Sequence, residues 1–221
     1  MWAALGQVLP IAVAAALSSV PILVTISILL SPNRRRSGPA FLIGWVVGIA
    51  LAVVVFTALA YVIPAVPPRK SQVAIGVSLI VVGLALIVFA IVVWRRAAKP
   101  DPAGVPKWLS AAGSLGAWQA FGLALALNFR PKGLLLSAAA GLSLRAQDLT
   151  LGQFTVVVLI FTAISASTVA VPVIANMTRP ATTERWLIDA REWVTQNNRI
   201  VSVLIMLLIG AVVVGSGLAH L

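Results

Sequence analysis

Cysteine is absent from the 221-residue chain. That absence removes disulfides, thiolate metal sites, cysteine-linked lipid anchors and thiol relays together. Carboxylates are nearly as scarce, with five acids against sixteen lysines and arginines. The five, Asp101, Asp148, Glu184, Asp189 and Glu192, all stand in polar connectors. No apolar block carries an acid to relay protons or bind a cation, which argues against proton coupling through a membrane carboxylate and against metal export. No block pairs a nucleophile with a base or gathers metal ligands, so neither an enzyme nor a cofactor is expected. The lone histidine, His220, is assigned no role. Charge of either sign amounts to 10% of residues against 61% hydrophobic, too little to cover a soluble domain.

What the chain has instead is apolar residues gathered in blocks of about twenty, the length a helix needs to cross ~30 Å of hydrocarbon. Five blocks are clear, at 5–30, 41–63, 73–94, 154–174 and 201–218. The first opens without a basic residue and has no small-residue cleavage site, so it is expected to stay as a transmembrane helix. The net charge of +11 has the size of a nucleic-acid signal but not its placement. Basic residues sit at the ends of apolar blocks, where they orient helices and meet anionic headgroups of membrane lipids. Nucleic acid is not an expected partner.

A sixth stretch, 113–144, is apolar on both sides of Asn128-Phe129-Arg130-Pro131-Lys132. Neither side can span alone, so the stretch is one broken crossing or a re-entrant hairpin. Loop charge separates the two. A crossing with the N-terminus outside puts eleven basic residues in inner loops, including Arg34–Arg36, Arg95, Lys107, Arg179 and Arg199, and leaves Arg69, Lys70 and Arg145 outside. A hairpin leaves eight inside and six outside. The positive-inside rule selects the crossing. The expected fold is an all-α membrane protein of six transmembrane helices, in the plasma (inner) membrane, with both termini outside.

Within that frame, Trp186, Leu187, Ala190, Trp193 and Val194 share one face of 176–199. Their spacing predicts a short amphipathic helix, about 181–196, on the cytoplasmic face, with Trp186 and Trp193 in the headgroup layer. It would anchor the chain to the membrane surface or, alternatively, dock a partner protein. Gly44-x-x-x-Gly48 permits close helix contact and is read as packing within the chain rather than a dimer seam; the oligomeric state stays open. Thr162, Ser165, Ser167 and Thr168 give the fifth span a mildly polar face, suited either to a cavity wall or to bonding back to its own helix.

The two halves, 1–112 and 113–221, echo each other at an offset of 110 residues. Ala16-Leu17-Ser18-Ser19-Val20-Pro21 aligns with Ala126-Leu127-Asn128-Phe129-Arg130-Pro131, and Ser27 with Ser137. A proline falls mid-span in the first helix of each half. Proline lacks an amide donor and clashes with the preceding turn, so it breaks a helix there and leaves a new helix start aimed at the break. Such a start suits an anion. With three helices per half the repeats would be inverted, a layout that in secondary transporters sets the substrate site between broken helices near the bilayer midplane. Arg130 and Lys132 flank Pro131, and a lone cation in mid-span costs at least ~2.5 kcal/mol. No apolar block offers them a carboxylate, so the counter-charge would be the substrate's own. Alternatively, the break lies nearer the cytoplasmic surface and both side chains reach lipid phosphates. Ser18, Ser19 and Asn128 either cap the broken helices or touch substrate.

These residues resemble the lysine exporter superfamily of small transporters, whose asparagine-proline-lysine signature is similar to the stretch from Leu127 to Leu136. Together with Ala16 to Ile22, that stretch more closely resembles the actinobacterial GAP family of peptidoglycolipid- and sulfolipid-addressing proteins. The resemblance covers essentially the whole chain. It implies export of an anionic or zwitterionic metabolite or a cell-envelope glycolipid, with lipid-export machinery as a further partner; the alternative is a scaffold for a lipid synthesis or secretion complex. Carried over, Pro21 matches the first-helix proline and Pro131 with Lys132 the second-half pair. The chain departs from the pattern in two places. Ser19 stands where a further proline is expected, and Phe129-Arg130 separates Asn128 from Pro131.

Overall fold

The computed structural model describes residues 1–62, 112–145, 147 and 149–218, with scattered positions between 80 and 95. The expected third span, 73–94, falls largely outside the described residues, as do Arg69, Lys70, Lys99, Asp101, Lys107, Asp148 and His220. The described positions between 80 and 95 are helical, and no strand occurs among the described residues.

The first apolar block forms two helices, α1 (Trp2–Ala16) and α2 (Ser19–Leu29), which meet at 51°. The proline responsible is the third residue of α2 rather than the first. The ring of Pro21 would collide with the Leu17 carbonyl one turn back, and the helix gives way there, leaving Ser18 extended. A short turn leads to α3 (Arg34–Val62). After a 3-10 turn at Ala112–Ser114, the second broken segment follows as α4 (Ala117–Asn128) and α5 (Pro131–Arg145). Here proline takes the first helical position, where its missing amide costs nothing. Helix α6 (Leu151–Thr178) starts on a reciprocal cap, in which Gln153 N donates to Thr150 Oγ1 at 3.4 Å and Thr150 N donates to Gln153 Oε1 at 3.3 Å. The pattern of two short helices and one long one thus occurs twice, as α1–α2–α3 and as α4–α5–α6.

Two helices, α3 and α6, are each long and apolar enough to cross a membrane, and the bent α1–α2 pair adds a third such segment. Each long helix packs against the broken segment of the other half. The register along α3 is read from five contacts. Ser37 Oγ donates to Leu115 O at 2.7 Å. A Cβ on Gly44 would lie 2.6 Å from the Phe121 carbonyl, and one on Gly48 would collide with Asn128 Nδ2. A Cβ on Gly141 would lie 2.7 Å from Thr57 N, and the Arg145 guanidinium sits 5.6 Å from the Tyr61 ring centroid. Residue numbers rise together on both sides, so α4 and α5 run on past the break alongside α3 instead of doubling back. Gly44-x-x-x-Gly48 is the groove that seats α4, a packing motif within the chain as expected.

The last helix differs from expectation. A separate in-plane helix at about 181–196 followed by a final span is not found, because α7 runs unbroken from Pro180 to Leu218. The polar stretch Gln196-Asn197-Asn198 does not interrupt it, and no proline or glycine occurs between Pro180 and Gly210. Two of its side chains bond back one turn. Gln196 Nε2 donates to Glu192 Oε1 at 3.1 Å, and Asn197 Nδ2 donates to the Trp193 carbonyl at 2.8 Å. Helix α7 packs on α1, α2 and α6, burying Thr183, Leu187 and Val194.

Candidate functional site

The residues expected to form the site lie at the two breaks, and each break rests against the middle of a long helix. Gly48, which receives Asn128, is eleven residues from Ser37 and thirteen from Tyr61. At 1.5 Å per residue the second break sits ~17–20 Å from either end of that contact ladder. In the first half, Thr168 Oγ1 of α6 donates to Ala16 O at 2.8 Å and Ser165 Oγ to Ala12 O at 3.4 Å. Thr168 is the eighteenth residue of the 28-residue α6. Its partner is a last-turn carbonyl of α1, whose usual donor, four residues on, is lost at the break. The polar face of α6 therefore has a use that neither sequence reading held. It supplies donors to a neighbouring broken helix. Of the other two, Ser167 does bond back, to Ile164 O at 2.7 Å, while Thr162 Oγ1 is buried without a partner.

The expected site residues divide as follows. Ser18 occupies the N-cap position of α2 but makes no capping bond, and Ser19 opens the helix; both are half-buried. Pro21 is buried, and its carbonyl accepts from Thr25 Oγ1 at 2.7 Å. Asn128 is 8% exposed, and its Nδ2 donates to Ala124 O at 2.9 Å. Arg130 follows in the break itself; its carbonyl accepts from Leu134 N at 3.0 Å, while its exposed side chain makes no ion pair or hydrogen bond to any described residue. Pro131 and Lys132 begin α5. Backbone crowding is evident here, since a Cβ on Gly133 would stand 2.6 Å from the Asn128 carbonyl. Helix α1 also packs on α5, which sets the two broken segments side by side. No hydrogen bond joins Ser18 or Ser19 to Asn128 or Arg130.

At one end of the bundle lies a feature that sequence reading missed. Ser37 and Leu115 meet there, and Arg34 Nη1 donates to Glu184 Oε2 at 3.3 Å between half-exposed side chains. Arg35, Arg36, Arg185 and Arg191 belong to the same segments, whereas Arg145 lies at the far end of α3 beside Tyr61. Between α2, the loop that follows it and the 112–114 turn is an open cleft of about 550 Å³. Ser27, Ser31, Asn33, Ser114 and Arg191 give it polar atoms, and Leu30 an apolar wall. In the sequence, Ser27 stood out only as the residue aligned with Ser137, and Arg191 only as one of the basic residues expected in inner loops. The tryptophans of α7 face outward, Trp186 50% and Trp193 57% exposed, while their neighbours Leu187 and Val194 turn into the bundle. No group of three or more potential metal ligands occurs among the described residues.

Comparison with curated proteins and with solved structures gave no match. The family model for Sap, sulfolipid-1-addressing protein, matches residues 8–219, nearly the full chain and both broken segments. The chain therefore belongs to the sulfolipid-1-addressing protein family, a family of membrane proteins.

Proposed function

We propose that the protein is a six-span transporter of the lysine exporter type, built from two inverted three-helix repeats, that moves an anionic amphiphile such as a sulfolipid-like envelope glycolipid across the inner membrane. The observation that carries this reading is the placement of both breaks against the middles of the opposite half's long helices. Inversion is supported by direction. Helices α4–α5 run parallel to α3, the bond pairs Ala12–Ser165 and Ala16–Thr168 run α1 parallel to α6, and Gly38 near the start of α3 faces Val173 near the end of α6, so α3 and α6 run in opposite directions. A break against the middle of α3 also weighs against Arg130 reaching lipid phosphates from a shallow position, since either end of the contact ladder lies ~17–20 Å away, farther than an arginine side chain extends. An arginine held there without a protein counter-charge is suited to grip a sulfate, phosphate or carboxylate bidentately. The amphiphilic cargo comes from the family's description, and transport rather than chemistry is the role assigned.

The test is movement of a fluorescent phosphatidic acid across proteoliposomes that contain the full chain, read by quenching from outside. Replacing Arg130 with Ala should slow movement about ten- to a hundredfold, the equivalent of ~1.5–3 kcal/mol for a lost charge-assisted contact. Arg130→Lys should retain part of the rate. Movement no faster than in empty liposomes would sink the transporter reading in favour of a scaffold for a lipid secretion complex. The outward-facing Trp186 and Trp193 favour that second reading and would then form its docking surface.

A further inference from the structure

We infer that the cleft at the arginine-rich end of the bundle is a second binding site, one for a tetrahedral oxyanion, sulfate or phosphate. The inference does not depend on transport or on Arg130.

The starting point is Ser27. Its side chain is 7% exposed, it lines the cleft, and its hydroxyl has no hydrogen-bond partner. A buried hydroxyl in a helix normally donates to a carbonyl three or four residues back. Both polar neighbours in this segment do so, Thr25 to Pro21 O at 2.7 Å and Ser31 to Ile28 O at 2.6 Å. Ser27 does not, and leaving a buried polar group unpaired is costly enough that native chains rarely do it without a ligand or water to meet it.

The surroundings select the charge of that ligand. No carboxylate lines the cleft among the described residues. Its polar groups are hydroxyls, the Asn33 amide and the Arg191 guanidinium, and Arg34–Arg36 follow Asn33 directly. With the Ser31 proton already given to Ile28 O, the Ser27 hydroxyl, the Asn33 amide and the Arg191 guanidinium are the donors suited to sulfate and phosphate oxygens. Gly113 closes one side of the cleft. A Cβ there would stand 3.3 Å from the Ser27 carbonyl, tight against the α2 backbone, so glycine lets the 112–114 turn approach closely. The apolar wall at Leu30 suits an oxyanion carried on an amphiphile at headgroup depth, although the free anion has the same chemistry.

The detergent-solubilised full chain would be titrated with sodium phosphate, sodium sulfate, dihexanoyl phosphatidic acid and, as an uncharged-overall control, dihexanoyl phosphatidylcholine. Wild type should bind at least one oxyanion saturably and ignore the phosphatidylcholine. Ser27→Ala should weaken that binding about three- to tenfold, the loss expected for one hydroxyl hydrogen bond. It should not lower the melting temperature of the ligand-free protein, because no bond within the protein is removed. Arg191→Gln should weaken binding further, and Arg130→Ala should leave it unchanged. Phosphatidic acid binding more tightly than free phosphate would identify the lipid as the source, and equal affinities would identify the free anion. Three results would each overturn the proposal: wild type that binds no oxyanion saturably, Ser27→Ala that binds as wild type does, or Ser27→Ala that melts earlier without ligand. If Arg130→Ala alone abolished binding, the anion would belong to the helix break instead.

Discussion

Residue by residue, most polar side chains, Thr25, Thr57 and Ser167 among them, bond back to a carbonyl of their own helix, and one serves instead a carbonyl that a break sets free. That one is Thr168, whose hydroxyl meets a carbonyl that α1 can no longer satisfy. Hydrogen bonds between membrane helices average only ~0.6 kcal/mol, reaching ~1.7 at most, since the unfolded chain in lipid also finds partners. Thr168→Val should therefore destabilise the solubilised protein by about 1 kcal/mol, and Thr168→Ser should restore most of it. Thermal unfolding in detergent measures both; equal melting of Val and Thr variants would show that the carbonyl has another donor. The proline positions were legible in the sequence because a missing amide acts locally. The partner of Thr168 was not, since it lies 152 residues away and depends on which helices become neighbours. Ser27 was visible as half of an aligned pair, but its unpaired hydroxyl is a fact of geometry alone.

At the scale of elements, glycine decides which helices can meet. A Cβ at Gly44 would press on the Phe121 carbonyl, which is backbone and cannot swing aside, whereas one at Gly48 would meet the Asn128 side chain. Overpacking of this kind costs ~1–3 kcal/mol. Gly44→Ala should therefore destabilise more than Gly48→Ala, where the obstructing group is an amide that can rotate at the cost of its bond to Ala124. Gly6→Ala in α1, with nothing within 4 Å of the new methyl, should be neutral or slightly stabilising. Melting temperatures in that order would support the α3–α4 contact, and the reverse order would refute it. The small-residue motif announced a close contact within the chain, because it states a distance requirement, but not which helix would fill it. The continuity of α7 was hidden for the opposite reason. Gln196, Asn197 and Asn198 are as polar as a connector, but no proline or glycine accompanies them, and the Gln196 and Asn197 side chains bond back one turn, so the helix continues.

For the whole molecule, the question that matters most is direction. The halves do not stand apart as separate units, because α3 packs on α4 and α5 while α6 packs on α1 and α2. If α4–α5 passes through the membrane beside α3, its two ends must be reached from opposite sides. The absence of cysteine makes this directly measurable, since any single cysteine introduced is the only thiol in the chain. With a membrane-impermeant maleimide on intact cells, Gln147→Cys should label at once, whereas Arg35→Cys and Arg185→Cys should label only after permeabilisation. Arg35 lies one residue from Arg34, which pairs with Glu184, so those two must behave alike whatever the topology. That shared behaviour serves as the internal control. Labelling of residue 147 from the same side as 35 and 185 would mean that the second broken segment re-enters, that the halves are not inverted, and that Arg130 stands at the tip of a hairpin. Labelling from the opposite side would leave the two breaks at half height on antiparallel crossings, the arrangement that an anion-binding site between them requires.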